Sequence, residues 1–268
     1  MEKRNVLIVT VIAALIFSLI FISGCTTPGQ KDGKTVLINA IKNSKTVISS
    51  EVAYDAAIGI GSMTLNMKTN MWINGNISRV DINGTILGFP MIGRFYKLQN
   101  GDFSCTQTKG EWICNEEATG TESITGLAKP LSLEGENEAA ILQMVLKGVL
   151  VINPAVTENT YAGRTCDRVE MLFNVTKLSE VSESMGDSEL IKTVAQMRES
   201  NVSDVSIIEC LDQSTGDPLY SKMATKAPSP LGTGKLEDMT LEMTATKYIP
   251  NAAIADEIFQ LPAEVSSQ

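Results

Sequence analysis

The sequence predicts an α+β fold built on an antiparallel sheet with a few helices. Three observations carry this. From Met63 to Asn74 apolar and polar residues alternate, with Thr69 interrupting the apolar face and Trp72 the polar one, the period of a strand with one buried face. Turn dipeptides then recur at short intervals, at Asn74-Gly75, Asn83-Gly84, Asn100-Gly101 and Lys109-Gly110. Each reads as a two-residue hairpin, and hairpin after hairpin builds a meander rather than a parallel α/β sheet. Between the β regions lie segments with apolar residues at helical spacing.

Taken in order, Lys34 to Val47 places Val36, Leu37, Ala40, Ile41 and Val47 at helical spacing. In the first β region Met63, Leu65, Met67, Met71 and Ile73 form one face. Short strands are expected at Ile77–Ile82, Thr85–Leu87, Met91–Leu98, Asp102–Gln107 and Glu111–Asn115. Ala118 to Lys129 is rich in Thr, Gly and Ser and reads as a loop. Glu134 to Leu150 reads as a helix, with Ile141, Val145 and Val149 on one stripe and acidic residues at its start, where the helix dipole favours them. A second β region starts near Tyr161; within it Val169, Met171, Phe173 and Val175 alternate with polar residues. The second half of 177–200 has helical spacing. Strands are expected at Val205–Leu211, Pro218–Lys226 and Leu236–Tyr248, the last with Met239, Leu241 and Met243 on one face.

The N-terminus carries compartment information. Lys3 and Arg4 precede an apolar run from Val6 to Ile22, and Ile22-Ser23-Gly24-Cys25 follows. This resembles the lipobox of prokaryotic lipoproteins, which implies cleavage after Gly24 and lipidation of Cys25. The alternative is an uncleaved signal anchor, since the run is longer than a usual signal core and shorter than a spanning helix. Either way the rest of the chain lies outside the cytoplasm at a membrane surface. Two acyl chains on a lipidated cysteine would suffice for stable anchoring. The expected organisation is a signal peptide over 1–24, the lipidated Cys and a flexible tether over 25–33, one domain over 34–262 and a tail over 263–268. The stretch Gly29 to Thr35 mimics a phosphate loop but has one residue too few between its glycines, and no strand precedes it.

Composition narrows the function. The 268 residues carry 22 Lys+Arg against 31 Asp+Glu, a net charge of −9, and no histidine. An acidic surface repels phosphate backbones, so no nucleic-acid partner is expected. Lack of histidine removes Ser-His-Asp and Cys-His nucleophiles and His metal ligands. No S-x-x-K occurs, Asp212 and Asp217 read as turn residues, and no spacing suggests a calcium loop. The chain is expected to be no enzyme and to use no metal or cofactor.

Besides Cys25, the cysteines are Cys105, Cys114, Cys166 and Cys210. An even number in an exported chain points to disulfides. A hairpin at Lys109-Gly110 pairs Thr108 with Glu111, and that register sets Cys105 opposite Cys114 at a non-hydrogen-bonded site. Cys166 and Cys210 then remain for each other. Tetrathiolate zinc usually shows closer cysteine pairs. Sequons at Asn76, Asn83, Asn174 and Asn201 mark candidate glycosylation sites.

The order of lipobox, tether, helix, long meander, central helices, further strands and terminal F-x-L-P resembles the lipoprotein-localisation superfamily of LolA, LolB, RseB, LppX and LprG. The residues carrying the likeness are Met63–Asn76 with Arg79-Val80-Asp81, the Cys210-Leu211-Asp212…Thr215-Gly216-Asp217-Pro218-Leu219 turn, and Phe259-Gln260-Leu261-Pro262. The resemblance implies a strongly curved antiparallel half-barrel covered by helices, with an apolar cavity for acyl chains between them. The disulfides and sequons are not part of that general pattern.

The chain has 12 methionines, and Met67, Met71, Met171, Met239 and Met243 fall on strand faces that read as buried. Flexible, polarizable methionine adapts to irregular apolar partners. The candidate cavity lining is Met63, Leu65, Met67 and Met71; Val169, Met171 and Phe173; Met239, Leu241 and Met243; and Ile141 and Val145. Periodicity does not separate a filled core from an open cavity, so both readings stand. The expected partners are membrane lipid through Cys25 and a bound lipid or lipoprotein acyl chain. An envelope sensor or protein-binding module on the same scaffold is the alternative.

Overall fold

The computed structural model describes residues 30–86, 89–116, 138–178, 204–228 and 236–262. The signal segment with Cys25, the 118–129 loop, the 177–200 helical segment from 179 onward, Asn201 and the 263–268 tail lie outside the described residues.

The strands are β1 (Gln30–Lys31), β2 (Ser49–Ile60), β3 (Met63–Asn74), β4 (Ile77–Ile86), β5 (Phe89–Leu98), β6 (Gly101–Thr108) and β7 (Glu111–Glu116). Then come β8 (Leu150–Ile152), β9 (Ala155–Tyr161), β10 (Arg164–Phe173), β11 (Val205–Asp212), β12 (Pro218–Pro228) and β13 (Leu236–Pro250). Helices α1 (Gly33–Ser44) and α2 (Glu138–Leu146) and a 3₁₀ turn at Asp256–Phe259 complete the described elements. The thirteen strands of the described residues form one antiparallel sheet in the order β1-β9-β10-β11-β12-β13-β2-β3-β4-β5-β6-β7, with β8 also paired to β10. The sheet is curved and open rather than closed into a barrel. The chain reaches its first long strand in mid-sheet, winds outward to β7, and lays the second meander on the other side of β2.

Register sorts the residues into two faces. One carries Val52, Tyr54, Ala56 and Ile58 on β2, opposite Met71, Thr69, Met67 and Leu65 on β3 and Tyr248, Ala245, Met243 and Leu241 on β13. Both helices lie on this face. In α1, Leu37, Ala40 and Ile41 share one buried stripe and pack with Ile141 and Met144 of α2 on Val169, Met171 and Leu211. The opposite face is mostly polar over the centre of the sheet.

Several boundaries differ from the sequence reading. Asn83-Gly84 is not a hairpin; it lies inside β4, paired with Lys68 and Met67 on one side and Ile92 and Met91 on the other. Turn chemistry is a local preference, and here two flanking strands override it. The glycine serves close approach instead: a Cβ at Gly84 would meet Met67 Cγ at 2.7 Å. The Asn74-Gly75 and Asn100-Gly101 turns form but are displaced by one residue, because Asn74 pairs with Ile77 and Leu98 with Gly101. Helix α2 stops before Leu150. The Gly148 and Val149 N–H groups turn back to the Val145 and Met144 carbonyls at 3.0 and 2.8 Å, a Schellman closure with Gly148 at φ +66°. This frees Leu150 for β8. The last residues of the expected tether pair as β1 with Val156 and Ala155. The phosphate-loop mimic is a helix cap: the Asp32 carboxylate accepts from the Thr35 N–H and hydroxyl at 3.3 and 2.6 Å.

Candidate functional site

The apolar face differs along its length. Over β8–β11 it is covered: Val169 and Ile141 are fully buried, Met171 nearly so, and Phe173 and Val145 pack partly buried against them. Towards the far ends of β13, β2 and β3 the same face is half-exposed. There Met239 pairs with Ile60 and Ile60 with Met63, while Leu241 pairs with Ile58 and Ile58 with Leu65. Met223 extends the second row on β12, opposite Leu241. All of these are intermediate in exposure. Met71 and Met243 are buried deeper in, with Met67 and Leu241 packed against their cluster. The predicted lining residues therefore all share one face but divide into a filled half under the helices and an apolar strip that solvent reaches. Sequence reasoning missed Ile58, Ile60 and Met223. The signal for the first two was the alternation Val52, Tyr54, Ala56, Ile58, Ile60.

A polar turn closes the covered half. Burial pushes the Asp212 carboxyl up, but the Arg164 guanidinium, the Ser214 hydroxyl and the Thr215 and Ser214 N–H groups outweigh it and hold it well below the usual range. Arg164 donates through Nε and Nη2 at 2.6 and 3.0 Å, a bidentate pair. Asp167 is likewise buried and likewise held low, accepting from Lys31 Nζ at 2.8 and 2.7 Å, Gln213 Nε2 at 2.8 Å and Thr157 Oγ1 at 2.9 Å. Tyr248 donates to Asp217, and burial with that carboxylate pushes its phenol up. A Cβ at Gly216 would sit 2.1 Å from the Ala40 carbonyl oxygen, so the turn lies directly on α1. Asp212 and Asp217 are turn residues as expected, and they also tie β10, β13 and α1 together. This is a structural knot rather than reactive chemistry.

On the opposite face Arg79 brings two of the resembling motifs together. Its Nε donates to Asp81 Oδ1 at 2.6 Å and its Nη1 to the Ile258 carbonyl at 2.9 Å, while the guanidinium lies 5.1 Å from the Trp72 ring centroid and 5.6 Å from that of Tyr96. Phe259 is buried, and Leu261 packs with Tyr96, Phe103 and the cysteines of β6 and β7. The terminal F-x-L-P thus docks on Arg79-Val80-Asp81.

The structure joins Cys105 to Cys114 and Cys166 to Cys210. The Lys109-Gly110 turn has φ +53° and +88° and sets Cys105 opposite Cys114. Asn76 is exposed in the β3–β4 turn, Asn83 is exposed on β4, and the Asn174 carboxamide accepts from the Lys177 N–H at 2.8 Å. Among the described residues no group of His, Cys, Asp and Glu could hold a metal ion. No helix of the described residues is long and apolar enough to cross a membrane.

No protein-family model and no curated protein matches the chain. Solved structures similar to it include the lipoprotein LppX of Mycobacterium tuberculosis, at 10% identity and TM-score 0.40, covering 82% of this chain and 98% of that one. The MucA/MucB complex of Pseudomonas aeruginosa is similar at 12% identity and TM-score 0.41, covering 85% of this chain and 60% of that one. A LolA-superfamily protein of Nitrosomonas europaea is similar at 10% identity and TM-score 0.31, covering 86% and 98%.

Proposed function

We propose that this chain is a lipid-anchored extracytoplasmic binding protein that holds acyl chains or another amphiphile on the apolar face of its sheet. The observation that carries the reading is the half-exposed strip of Ile58, Ile60, Met63, Leu65, Met239 and Leu241. Side chains on this strip are apolar at every paired position, and two are methionines, which reshape around irregular alkyl partners. An apolar strip that remains open to water favours a ligand that covers it. The covered half supplies the rigid support, fixed by the Asp212 and Asp167 knots and by α1. Anchoring through Cys25 would keep the strip next to a membrane, its source of amphiphiles.

The test is native mass spectrometry of residues 27–268, produced with disulfides formed in a membrane-containing host. The reading expects a bound mass that denaturation releases as lipid. A clean apo mass, with no uptake of added phospholipid, would overturn it and favour a protein-binding module at the same surface.

A further inference from the structure

The sheet's other face carries a depression of about 580 Å³ with a different chemistry. Its lining is a grid of side chains set by register across β13, β2, β3 and β4. One row is Thr244, Asp55, Lys68 and Asn83, each opposite the next. The adjacent row is Glu242, Ala57 and Asn66, again in register, and Thr85, Gly84, Ala56 and Met67 also line the depression. The relief of a sheet face follows side-chain length. Ala57 makes the floor, and longer side chains stand around it.

The grid continues onto β12. Tyr220 lies opposite Thr244 and Lys222 opposite Glu242. Tyr220 donates to Glu242 Oε1 at 3.2 Å, and its half-exposed ring stacks on that of Tyr161 with centroids 5.2 Å apart. Tyr220, next to Thr244 in register, and the stacked Tyr161 therefore stand beside one end of a trench lined by side chains that can hydrogen-bond and by the apolar Ala56, Ala57 and Met67.

Those residue types select the ligand class. Carboxylates accept, lysine donates, and amides and threonine hydroxyls do both, which suits groups that themselves donate and accept. Each lysine has a carboxylate beside it, Lys68 opposite Asp55 and Lys222 3.2 Å from Glu242, so no net cationic site exists for phosphate. Ala56, Ala57 and Met67 give the trench an apolar part beside its polar side chains, which suits a ligand with both apolar faces and hydroxyl edges, and its carboxylates belong to no metal-binding group among the described residues. Hydroxyls along a trench with an amphipathic aromatic platform at its end fit a carbohydrate. The size falls within that of ordinary ligand pockets. The sequon Asn83-Gly84-Thr85 also lines the trench with all three of its residues.

We propose that this trench binds a saccharide, supplied either as a glycan on Asn83 of this chain or as a separate oligosaccharide. It is a second site, on the face opposite the apolar strip, and does not depend on that strip holding lipid.

The experiment has two arms on the full chain. In the first, the chain is made in a host without N-glycosylation, placed in phosphatidylcholine nanodiscs and titrated with cellotetraose, chitotetraose and maltotetraose by saturation-transfer NMR. In the second, the chain from its native source is digested and the Asn83 peptide is weighed. Saturation transfer that weakens about tenfold in Ala57→Trp, which fills the floor, and in Asn66→Ala, which cannot unfold the sheet from an exposed position, supports a separate oligosaccharide. A glycan mass on Asn83, with Asn83→Gln exposing Tyr220 to nitration, supports the chain's own glycan. Binding unchanged in both variants, or no binding together with an unmodified Asn83, would overturn the proposal.

Discussion

Two halves of one sheet face follow the same alternating pattern and meet different ends. Over β10 and β11, Val169, Met171 and Leu211 lie buried under α1 and α2. Over β2, β3 and β13, Ile58, Leu65 and Leu241 are equally apolar and equally aligned, yet half-exposed. Period-two patterning states only that a strand has an apolar side. What covers that side is decided by the rest of the chain. The polar anchors show the same asymmetry: Asp212, Asp167 and their partners all gather at the covered half. One half is buried and anchored, and in the other the apolar face stays half-exposed.

The largest expected effect breaks the covered half. Asp212→Ala leaves the Arg164 guanidinium and two turn N–H groups without their acceptor. Breaking a buried charged pair costs about 3–5 kcal/mol. Thermal unfolding followed by circular dichroism should show a Tm lower by more than about 6 °C for a domain of this size. An unchanged Tm would mean that the knot is not structural.

Next is a direct contrast of the halves. Ile141→Ala removes a fully buried side chain and should cost about 2–5 kcal/mol, whereas Leu65→Ala in the open strip should cost less than about 1 kcal/mol. Urea unfolding of both variants measures this. Equal costs would erase the distinction.

Acid should act on the covered half first. Asp212 and Asp167 have folded values below the unfolded carboxylate value of about 3.9, so the stability they contribute is present above that pH. It is lost as pH falls through their lower folded values. Stability should therefore hold down to about pH 4 and decline below it, and Asp167→Asn should flatten the decline. A decline that starts near pH 6 would point to other groups.

The smallest effect is at the entry to the domain. Asp32→Ala removes the cap of α1 and should cost about 1 kcal/mol, seen as a shift in the urea midpoint.

The two halves were not equally legible in the sequence. The strand Met63–Asn74 was readable because its outward positions Thr64, Asn66, Lys68, Asn70 and Asn74 are polar, with Trp72 the one exception. Strand β2 was not read, because its outward positions Ala53, Ala57 and Gly59 are small and blur the contrast with Val52 and Tyr54. The Cys105–Cys114 pairing followed from a local turn, whereas Lys31–Asp167 and Arg164–Asp212 span 136 and 48 residues and leave no local signal. Asn83-Gly84 carried a strong turn signal that pairing on both sides overrode. The polar trench exists only through the register of four strands. No spacing within one segment announces it, although most of its residues, such as Asp55, Asn66, Lys68 and Thr244, stand on the polar side of their own strands.

The most direct test of the central contrast is a titration of residues 27–268 with a fluorescent fatty acid, wild type against Leu65→Asp. The account predicts saturable uptake by the wild type. It predicts uptake at least about tenfold weaker in Leu65→Asp, with the Tm shifted by no more than a few degrees, because the strip is open and the covered half carries the stability. Equal uptake by both proteins, or none by the wild type, would contradict it.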